Sequence, residues 1–386
     1  MDTALLVTVV LVVVFALVFD FTNGFHDTAN AMATSVATGA LKPRTAVIIA
    51  GVLNLVGAFL STEVAKTISS GIIKTDSSGR EMITPALIFA GLVGAIIWNL
   101  VTWYLGLPSS SSHALFSGLI GAAILGAGLG AVSWTGVLSS IVIPALLAPI
   151  VAGVAALIGT VIVYRMTKQA TVPHAKPAFR IAQTVSASLV ALAHGTSDAQ
   201  KTMGVITLTL VAANVQDPET GPQFWVILTC GLAIGLGTAV GGFRIMKTVG
   251  TKITPVESPQ GFAAETASAA TILASSHLGF PLSTTQVVSG SIVGVGLGKR
   301  LAQVNWGVAG KIGLGWLFTL PAAAAVGALS ALVVVAGSTV GLVIVAVVAV
   351  AGVVVIFRLA SKKPVTAKNV NEGAPEAAPR MQEATA

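Results

Sequence analysis

The chain has 386 residues, of which 54% are hydrophobic and 9% are charged, and its formal net charge at pH 7 is +7. A soluble globular domain carries charge on about a quarter of its residues, so this composition excludes that class and indicates an integral membrane protein. The basic excess does not indicate a nucleic-acid partner, because the basic residues stand in short loops between apolar runs, where the positive-inside rule places them.

Apolar runs of about 20 residues recur from the N-terminus onwards, and each is long enough to cross roughly 30 Å of hydrocarbon as an α-helix. The first run contains polar residues near its middle, and Gly24 is predicted to break the helix at that point. A later proline followed by serines separates two apolar pieces, a pattern that predicts a re-entrant helical hairpin. The first half therefore comprises a broken span over 3–37, a span over 45–60, a hairpin over 85–128 and a span over 139–164.

The second half repeats this order after a basic, proline-containing segment, which is predicted to be a cytoplasmic linker. Its elements are a broken span over 181–214, a span over 224–242, a hairpin over 261–298 and two final spans over 308–335 and 340–357. The last segment is rich in Ala, Pro, Glu and Lys and is predicted to be disordered. The predicted domains are a first transmembrane repeat (1–164), the linker (165–180), a second transmembrane repeat (181–357) and the tail (358–386).

Two polar motifs occur in both halves in the same order. The stretch at 23–30 (Asn-Gly-Phe-His-Asp-Thr-Ala-Asn) aligns with the stretch at 194–201 (His-Gly-Thr-Ser-Asp-Ala-Gln-Lys). The stretch at 108–113 (Pro-Ser-Ser-Ser-Ser-His) aligns with 281–286 (Pro-Leu-Ser-Thr-Thr-Gln). The placement of the basic loops puts the two hairpins on opposite sides of the membrane. We therefore predict an all-α polytopic membrane protein with two inverted-topology repeats, each containing a broken helix and a re-entrant helical hairpin.

Both hairpin tips carry a row of hydroxyl groups at the start of a helix. The free N–H groups and the dipole of a helix N-terminus favour an anion, and neighbouring hydroxyls can donate to several oxygens of a tetrahedral oxyanion. Capping a helix needs one such residue, so rows of three or four indicate a ligand. The predicted oxyanion ligands are Ser110, Ser111, Ser112, Ser283, Thr284 and Thr285.

Asp27 and Asp198 occupy matching positions inside apolar runs, where an ionisable residue is a functional candidate by default. Two bare carboxylates would repel a bound anion, so a cation or proton has to accompany it, which indicates a symporter. Lys201 can supply positive charge and a donor to the oxyanion, whereas Asn30, at the matching position, offers a carbonyl to a cation. The predicted coupling residues are Asp27, Asp198, Asn30, Glu265, Asn23 and His26, and sodium is the alternative ion at Asp27, Asn30 and Asp198.

The four motifs together resemble the inorganic phosphate transporter (PiT) family, in its bacterial low-affinity branch, over nearly the whole chain to about residue 357. The resemblance implies a non-enzymatic, multi-pass protein of the plasma membrane that imports inorganic phosphate, or a neutral metal-phosphate complex, by cation symport. It implies no cofactor beyond the coupling ion and a divalent metal that can accompany phosphate. The expected partners are phosphate, the lipid bilayer and a second copy of the chain, without nucleic acid.

The chain departs from the family pattern at His26, Ser197 and Lys201, where asparagines are usual. Because the Lys201 ammonium can replace a bound sodium ion, we predict that protons are the main coupling ion and keep sodium as the alternative. Two other functions stay open from the residues alone. One is a permease for another oxyanion such as sulfate, and the other is a membrane-embedded hydrolase, although the tandem serines offer no unique nucleophile.

Overall fold

The computed structural model describes residues 2–74, 82–167, 172–299 and 304–372, and these ranges are built from α-helices. The principal helices in chain order are α1 (Thr3–Ala37), α2 (Pro43–Gly57), α3 (Glu63–Gly71), α4 (Pro85–Leu105), α5 (Ser111–Ala127), α6 (Trp134–Val137), α7 (Ile143–Met166), α8 (Val172–Ala212), α9 (Phe224–Val240), α10 (Phe243–Thr251), α11 (Ser258–His277), α12 (Thr284–Lys299) and α13 (Trp306–Ser361).

Several of these helices can cross a membrane. In the described part of the chain, four are long and apolar enough: α1, α4, the stretch Trp134–Met166 that contains α6 and α7, and α13. Helices α9 and α10 make a fifth candidate as a pair, bent by 68° at the short break between them. Helix α8 is also long enough, with 41 residues, but it carries polar and charged side chains in its buried interior.

The predicted breaks at the polar motifs are wrong, because α1 and α8 each run through their motif as one helix. Gly24 serves a different purpose there. A Cβ at this position would collide with the carbonyl oxygen of Ile234 and would lie 2.9 Å from the backbone nitrogen of Thr238 in α9. Gly195 of α8 lies equally close to the backbone of Asn54 in α2. Both glycines therefore permit close helix packing, as small residues do in membrane proteins.

The two predicted hairpins are present as antiparallel helix pairs. In the first, α4 and α5 are joined by a turn that starts at Gly106, whose φ of 66° suits glycine, and Gly91 lies against the backbone of Leu119. In the second, the Ser268 hydroxyl of α11 donates to the Ser291 hydroxyl of α12 over 3.0 Å. The entry of the hairpins into the membrane from opposite sides stays a prediction.

The packing interlocks the two halves of the chain. Helices α1 and α8 pack against each other, and α2 and α9 pack against both of them. The first hairpin packs against α13, which comes from the second half, while the second hairpin packs against α7, which comes from the first. Each hairpin is therefore held by a long helix from the other half of the chain.

Helices α1 and α8 run antiparallel with a constant register. Asn23 faces Asp198, His194 lies near Asp27, and Thr38 donates to Gln183. Each later residue of α1 therefore faces a correspondingly earlier residue of α8. This register brings the two polar motifs side by side at the centre of the molecule.

The structure also differs from the predicted spans outside the motifs. Helix α2 ends at Gly57 and is followed by the separate helix α3, and the bend after α9 was not predicted. The two predicted final spans, in contrast, are both present, because α13 is divided at Ser338, where φ is 46° and ψ is −127°. The break between the final spans thus matches the predicted boundary.

The linker and the tail are partly helical. The described part of the linker from Val172 belongs to α8, and residues 168–171 lie outside the described ranges. Disorder does not extend over the whole tail, because α13 continues to Ser361. Beyond it, Val370 is buried and the Asn371 amide donates to the Val36 carbonyl over 3.1 Å. Residues 373–386 lie outside the described ranges.

Candidate functional site

The antiparallel packing of α1 and α8 brings Asp27 and Asp198 into one buried group. The Asn23 amide of α1 donates to Asp198 Oδ2 over 3.2 Å. His194 Nε2 of α8 lies 3.4 Å from Asp198 Oδ2 and 4.0 Å from Asp27 Oδ2. One ligand atom from each of Asp27, His194 and Asp198 lies within 4.8 Å of the others. We call Asn23, Asp27, His194 and Asp198 the carboxylate cluster.

Lys201 neutralises one of the two carboxylates. Its ammonium donates to Asp198 Oδ1 over 2.5 Å, and both side chains are fully buried. The two residues are three apart on α8, so they lie on the same face of the helix. Lys201 is therefore an internal cation of the site, and its side chain does not reach the membrane surface.

His26 connects Asp27 to the end of the first hairpin's leading helix. Its Nδ1 lies 2.6 Å from Asp27 Oδ1, and its Nε2 lies 3.3 Å from the Thr102 hydroxyl and 3.4 Å from the Ser109 hydroxyl. The Ser109 hydroxyl in turn donates to Thr102 over 2.7 Å. Both ring nitrogens therefore have polar neighbours, which is the arrangement that lets an imidazole carry or pass on a proton.

Hydroxyl groups from both hairpin tips reach the two carboxylates. Ser111, in the first tip, donates to Asp27 Oδ2 over 2.9 Å. In the second tip, Thr285 donates to Asp27 Oδ1 over 3.3 Å and Thr284 donates to Asp198 Oδ2 over 3.4 Å. Asp27 is thus contacted by both hairpins at once.

The other three predicted hydroxyls have structural contacts. Ser110 and Ser283 each accept a hydrogen bond from the backbone N–H three residues later, over 3.1 Å and 3.4 Å, so both cap their helices. Ser112 donates to the carbonyl oxygen of Leu282 over 3.4 Å. That bond joins the two tips directly.

The starts of two helices point into the same region. Helix α5 begins at Ser111 and α12 begins at Thr284, so the positive ends of both helix dipoles lie beside the carboxylate cluster. Asn30 of α1 donates to the Thr285 hydroxyl over 3.0 Å and so ties α1 to the second tip. Two helix N-termini, an ammonium and several hydroxyls can together bind an oxyanion, provided that the carboxylates are neutralised.

The site is closed in this structure. Every predicted ligand in α1, α8 and the two tips is at most 4% exposed. Solvent and solutes therefore do not reach the carboxylate cluster unless the surrounding helices move.

The chain matches the PHO4 phosphate transporter family over residues 23–327. It belongs to this family. The transporter is 51% identical over 365 residues to the probable low-affinity inorganic phosphate transporter of Mycobacterium leprae, covering 94% of this chain and 87% of that protein. It is 45% identical over 330 residues to the protein of the same description from Bacillus subtilis, covering 86% of this chain and 98% of that protein.

A solved structure described as the sodium-dependent phosphate transporter has a similar fold. The TM-score is 0.76 at 25% sequence identity, covering 85% of this chain and 99% of that one. The chain is therefore a helical phosphate transporter of the plasma membrane with several membrane-crossing helices, as the resemblance predicted. The alternative of a membrane-embedded hydrolase is excluded, because the relatives are transporters and not enzymes.

Glu265 belongs to a second polar group of the transporter. Its Oε1 accepts from the Thr34 hydroxyl over 2.6 Å and from the Gln183 amide over 3.3 Å, and its Oε2 accepts from the Ser186 hydroxyl over 2.6 Å. These partners come from α1 and α8, whereas Glu265 lies on α11. None of the three belongs to the carboxylate cluster, so the structure does not bring Glu265 together with Asp27.

The sequence did not single out His194, although it lies between Asp27 and Asp198 in the carboxylate cluster. Two signals pointed to it: it stands four residues before Asp198 on one helix, and it occupies the position that matches Asn23. Its Nδ1 lies 3.0 Å from the side-chain Oδ1 of Asn54 in α2, and the Asn54 Nδ2 donates to the Thr238 hydroxyl of α9 over 2.7 Å. Asn54 therefore joins two helices and fixes the orientation of the imidazole.

Proposed function

We propose that the transporter imports inorganic phosphate by symport with protons. The observation that supports this most is the contact of hydroxyls from both hairpin tips with Asp27 and Asp198 inside one closed group. An anion and a positive charge can be accommodated there together, and neither is favourable alone. Binding of either one therefore promotes binding of the other, and this coupling is reciprocal.

The phosphate ligands that we propose are the donors that now contact the carboxylates. These are Ser111, Thr284 and Thr285 of the tips and Lys201 of α8. When phosphate enters, they turn from the carboxylate oxygens to the phosphate oxygens. Ser110, Ser112 and Ser283 keep the tips in shape through capping and tip-to-tip hydrogen bonds.

The choice of protons over sodium rests on what already surrounds the carboxylates. Asp27 has His26 at 2.6 Å, and Asp198 has Lys201 at 2.5 Å and His194 at 3.4 Å. Each of these groups binds a proton and can balance a carboxylate without a metal ion. A phosphate beside two uncompensated carboxylates would be repelled by several kcal/mol at the low effective dielectric of a buried site. Protons on these groups remove that repulsion.

Sodium is the alternative coupling ion. The transporter of similar fold is described as sodium-dependent, and the carboxylates of Asp27 and Asp198 supply oxygen ligands, with Asn30 nearby on α1. In this chain, however, the Lys201 ammonium occupies one oxygen of Asp198. A sodium ion at that position would have to displace it.

We further propose that the two halves form inverted-topology repeats that open alternately to the two sides of the membrane. The support is the antiparallel pairing of α1 with α8, which hold the matching motifs, and the exchange of α7 and α13 between the hairpins. The exposed apolar faces of α7 and α13 then contact lipid. The basic linker, 165–180, would lie in the cytoplasm.

Phosphate uptake into proteoliposomes under separately imposed gradients tests the coupling ion. Acid outside should drive accumulation, an ionophore that collapses the proton gradient should abolish it, and a sodium gradient alone should drive little uptake. Lys201→Asn should weaken phosphate binding and admit sodium dependence. Strong sodium-driven uptake by the unmodified protein that does not vary with pH would refute proton coupling. Repeating the assay with a chelator separates free phosphate from a neutral metal-phosphate complex.

A further inference from the structure

Besides Asp27, Asp198 and Glu265, the membrane interior holds a fourth buried carboxylate, which has no role in the proposed site. Asp20 lies on α1, two helical turns before Asp27, and is fully buried. Within the described ranges, neither of its carboxylate oxygens has a hydrogen-bond partner. No ion pair involves Asp20 in that part of the chain either. An unpartnered buried acid of this kind is costly to keep in the ionised form, and in a membrane it marks a functional position.

The register of α1 against α8 places Asp20 opposite Thr202. Asn23 faces Asp198, and Asp20 lies three residues before Asn23 on α1. Because the helices are antiparallel, Asp20 lies beside the turn of α8 that contains Thr202. The Thr202 hydroxyl is within interaction range of Asp20, yet it has no formed hydrogen bond in the described part of the structure. Two buried polar groups therefore face each other, each with unused capacity for a hydrogen bond.

The charged and titratable groups that act on Asp20 come from two helices. From α8 they are Asp198, His194 and Lys201, and from α9 the neighbouring group is the buried thiol of Cys230. The Lys201 ammonium is bound to Asp198 and, within the described ranges, forms no salt bridge with Asp20. The carboxylate of Asp198 and an ionised Asp20 would repel each other.

These surroundings suit a proton better than a metal ion. A metal ion needs several oxygen ligands at short distance, and here the Lys201 ammonium would repel it. A proton needs no ligand shell. It converts Asp20 into a neutral acid whose O–H can donate to the Thr202 hydroxyl, which uses both unfilled hydrogen-bonding groups at once.

We propose that Asp20 is a second proton-binding site of the transporter, and that its occupancy rises when phosphate binds at the carboxylate cluster. The proposal rests on the proposed phosphate site at the hairpin tips. A phosphate anion that takes Lys201 as a ligand withdraws positive charge from Asp198 and adds negative charge near Asp20. Both changes favour the neutral form of Asp20, so the phosphate anion draws a proton onto it.

The test is to count the protons taken up when inorganic phosphate binds to the purified full-length transporter. Phosphate is titrated calorimetrically in two buffers of different ionisation enthalpy at one pH, which gives the proton count directly. The titration is repeated at rising pH, because a buried acid without a partner keeps its proton at neutral pH whether or not phosphate is bound. At a pH where the phosphate-free protein has released this proton, Asp20→Asn should take up about one proton fewer per phosphate than the unmodified protein, and Asp20→Glu should restore the uptake. The ionisation of phosphate itself contributes equally to every variant and cancels in the comparison.

Equal proton counts in Asp20→Asn and in the unmodified protein at every pH of the series would overturn the proposal. If the Asn variant does not fold, Asp20→Ala replaces it, since Ala191 stands at the matching position of the second half. The outcome is separate from that of the proposed function. If sodium alone drove phosphate uptake by the unmodified protein, proton-driven transport would be refuted. The calorimetric comparison of the unmodified protein with Asp20→Asn would still show whether Asp20 binds a proton.

Discussion

Disruption of the buried pair between Lys201 and Asp198 should destabilise the protein unequally, depending on which member is removed. Asp198→Ala leaves an ammonium whose hydrogen bond within the described ranges was to Asp198, and a stranded buried charge costs about 3–5 kcal/mol. Lys201→Met leaves a carboxylate that keeps the Asn23 amide at 3.2 Å and the Thr284 hydroxyl at 3.4 Å. Lys201→Met should therefore lower the free energy of unfolding by the contribution of one hydrogen bond to a charged group, about 1.5–3 kcal/mol.

The double variant Asp198→Ala/Lys201→Met provides the control, because it removes both charges. We expect its cost to fall below the sum of the single variants by about 2 kcal/mol. The free energies of unfolding can be measured in mixed micelles by titration with a denaturing detergent, followed by tryptophan fluorescence. Equal costs for the two single variants, together with additivity in the double variant, would show that the pair does not carry buried charge.

Three further outcomes follow from named contacts. Asp27→Asn should abolish phosphate accumulation and leave the protein folded, because an amide keeps the size of the carboxylate and cannot hold a proton; normal accumulation would remove Asp27 from the mechanism. Gly24→Ala should lower the unfolding midpoint, because its Cβ meets the α9 backbone, whereas Gly310→Ala, with nothing within 4 Å, should not lower it; equal midpoints would contradict the packing argument. With Cys230 replaced by serine, Ser111→Cys should react with a small thiol reagent as the site opens, and phosphate should slow the reaction; labelling at the same rate under saturating phosphate would separate this tip from the site.

The helices and hairpins were predictable because their signals are local. Apolar length identifies a crossing helix, and a proline followed by hydroxyls identifies the tip of a hairpin, which is where α5 and α12 begin. The continuity of α1 was not predictable in this way. Gly24 carries the local signal of a break, but what decides its identity is the backbone of α9, more than 200 residues later in the chain. No local pattern reports that contact.

The same limit explains why the sequence pointed to Asp27 and not to His194, its neighbour in the carboxylate cluster. A carboxylate in an apolar run stands out from composition alone, whereas a single histidine is as often a packed core residue as a ligand. The role of His194 depends on the register of α8 against α1, which carries its Nε2 across to Asp27. That register depends on contacts between residues far apart in the chain and becomes visible once the helices are assembled.

Hydrogen-bond satisfaction distinguishes the two acids that lie outside the carboxylate cluster. The sequence indicates Glu265 as a coupling candidate and does not indicate Asp20, which has no acidic counterpart at the matching position, Ala191, of the second half. In the structure, Glu265 receives three hydrogen bonds that join α1, α8 and α11, so both of its carboxyl oxygens have partners. Asp20 receives none within the described ranges. Of these two acids, the unpartnered one has more to gain from a proton, so Asp20 is the one whose protonation should respond to phosphate binding at the carboxylate cluster.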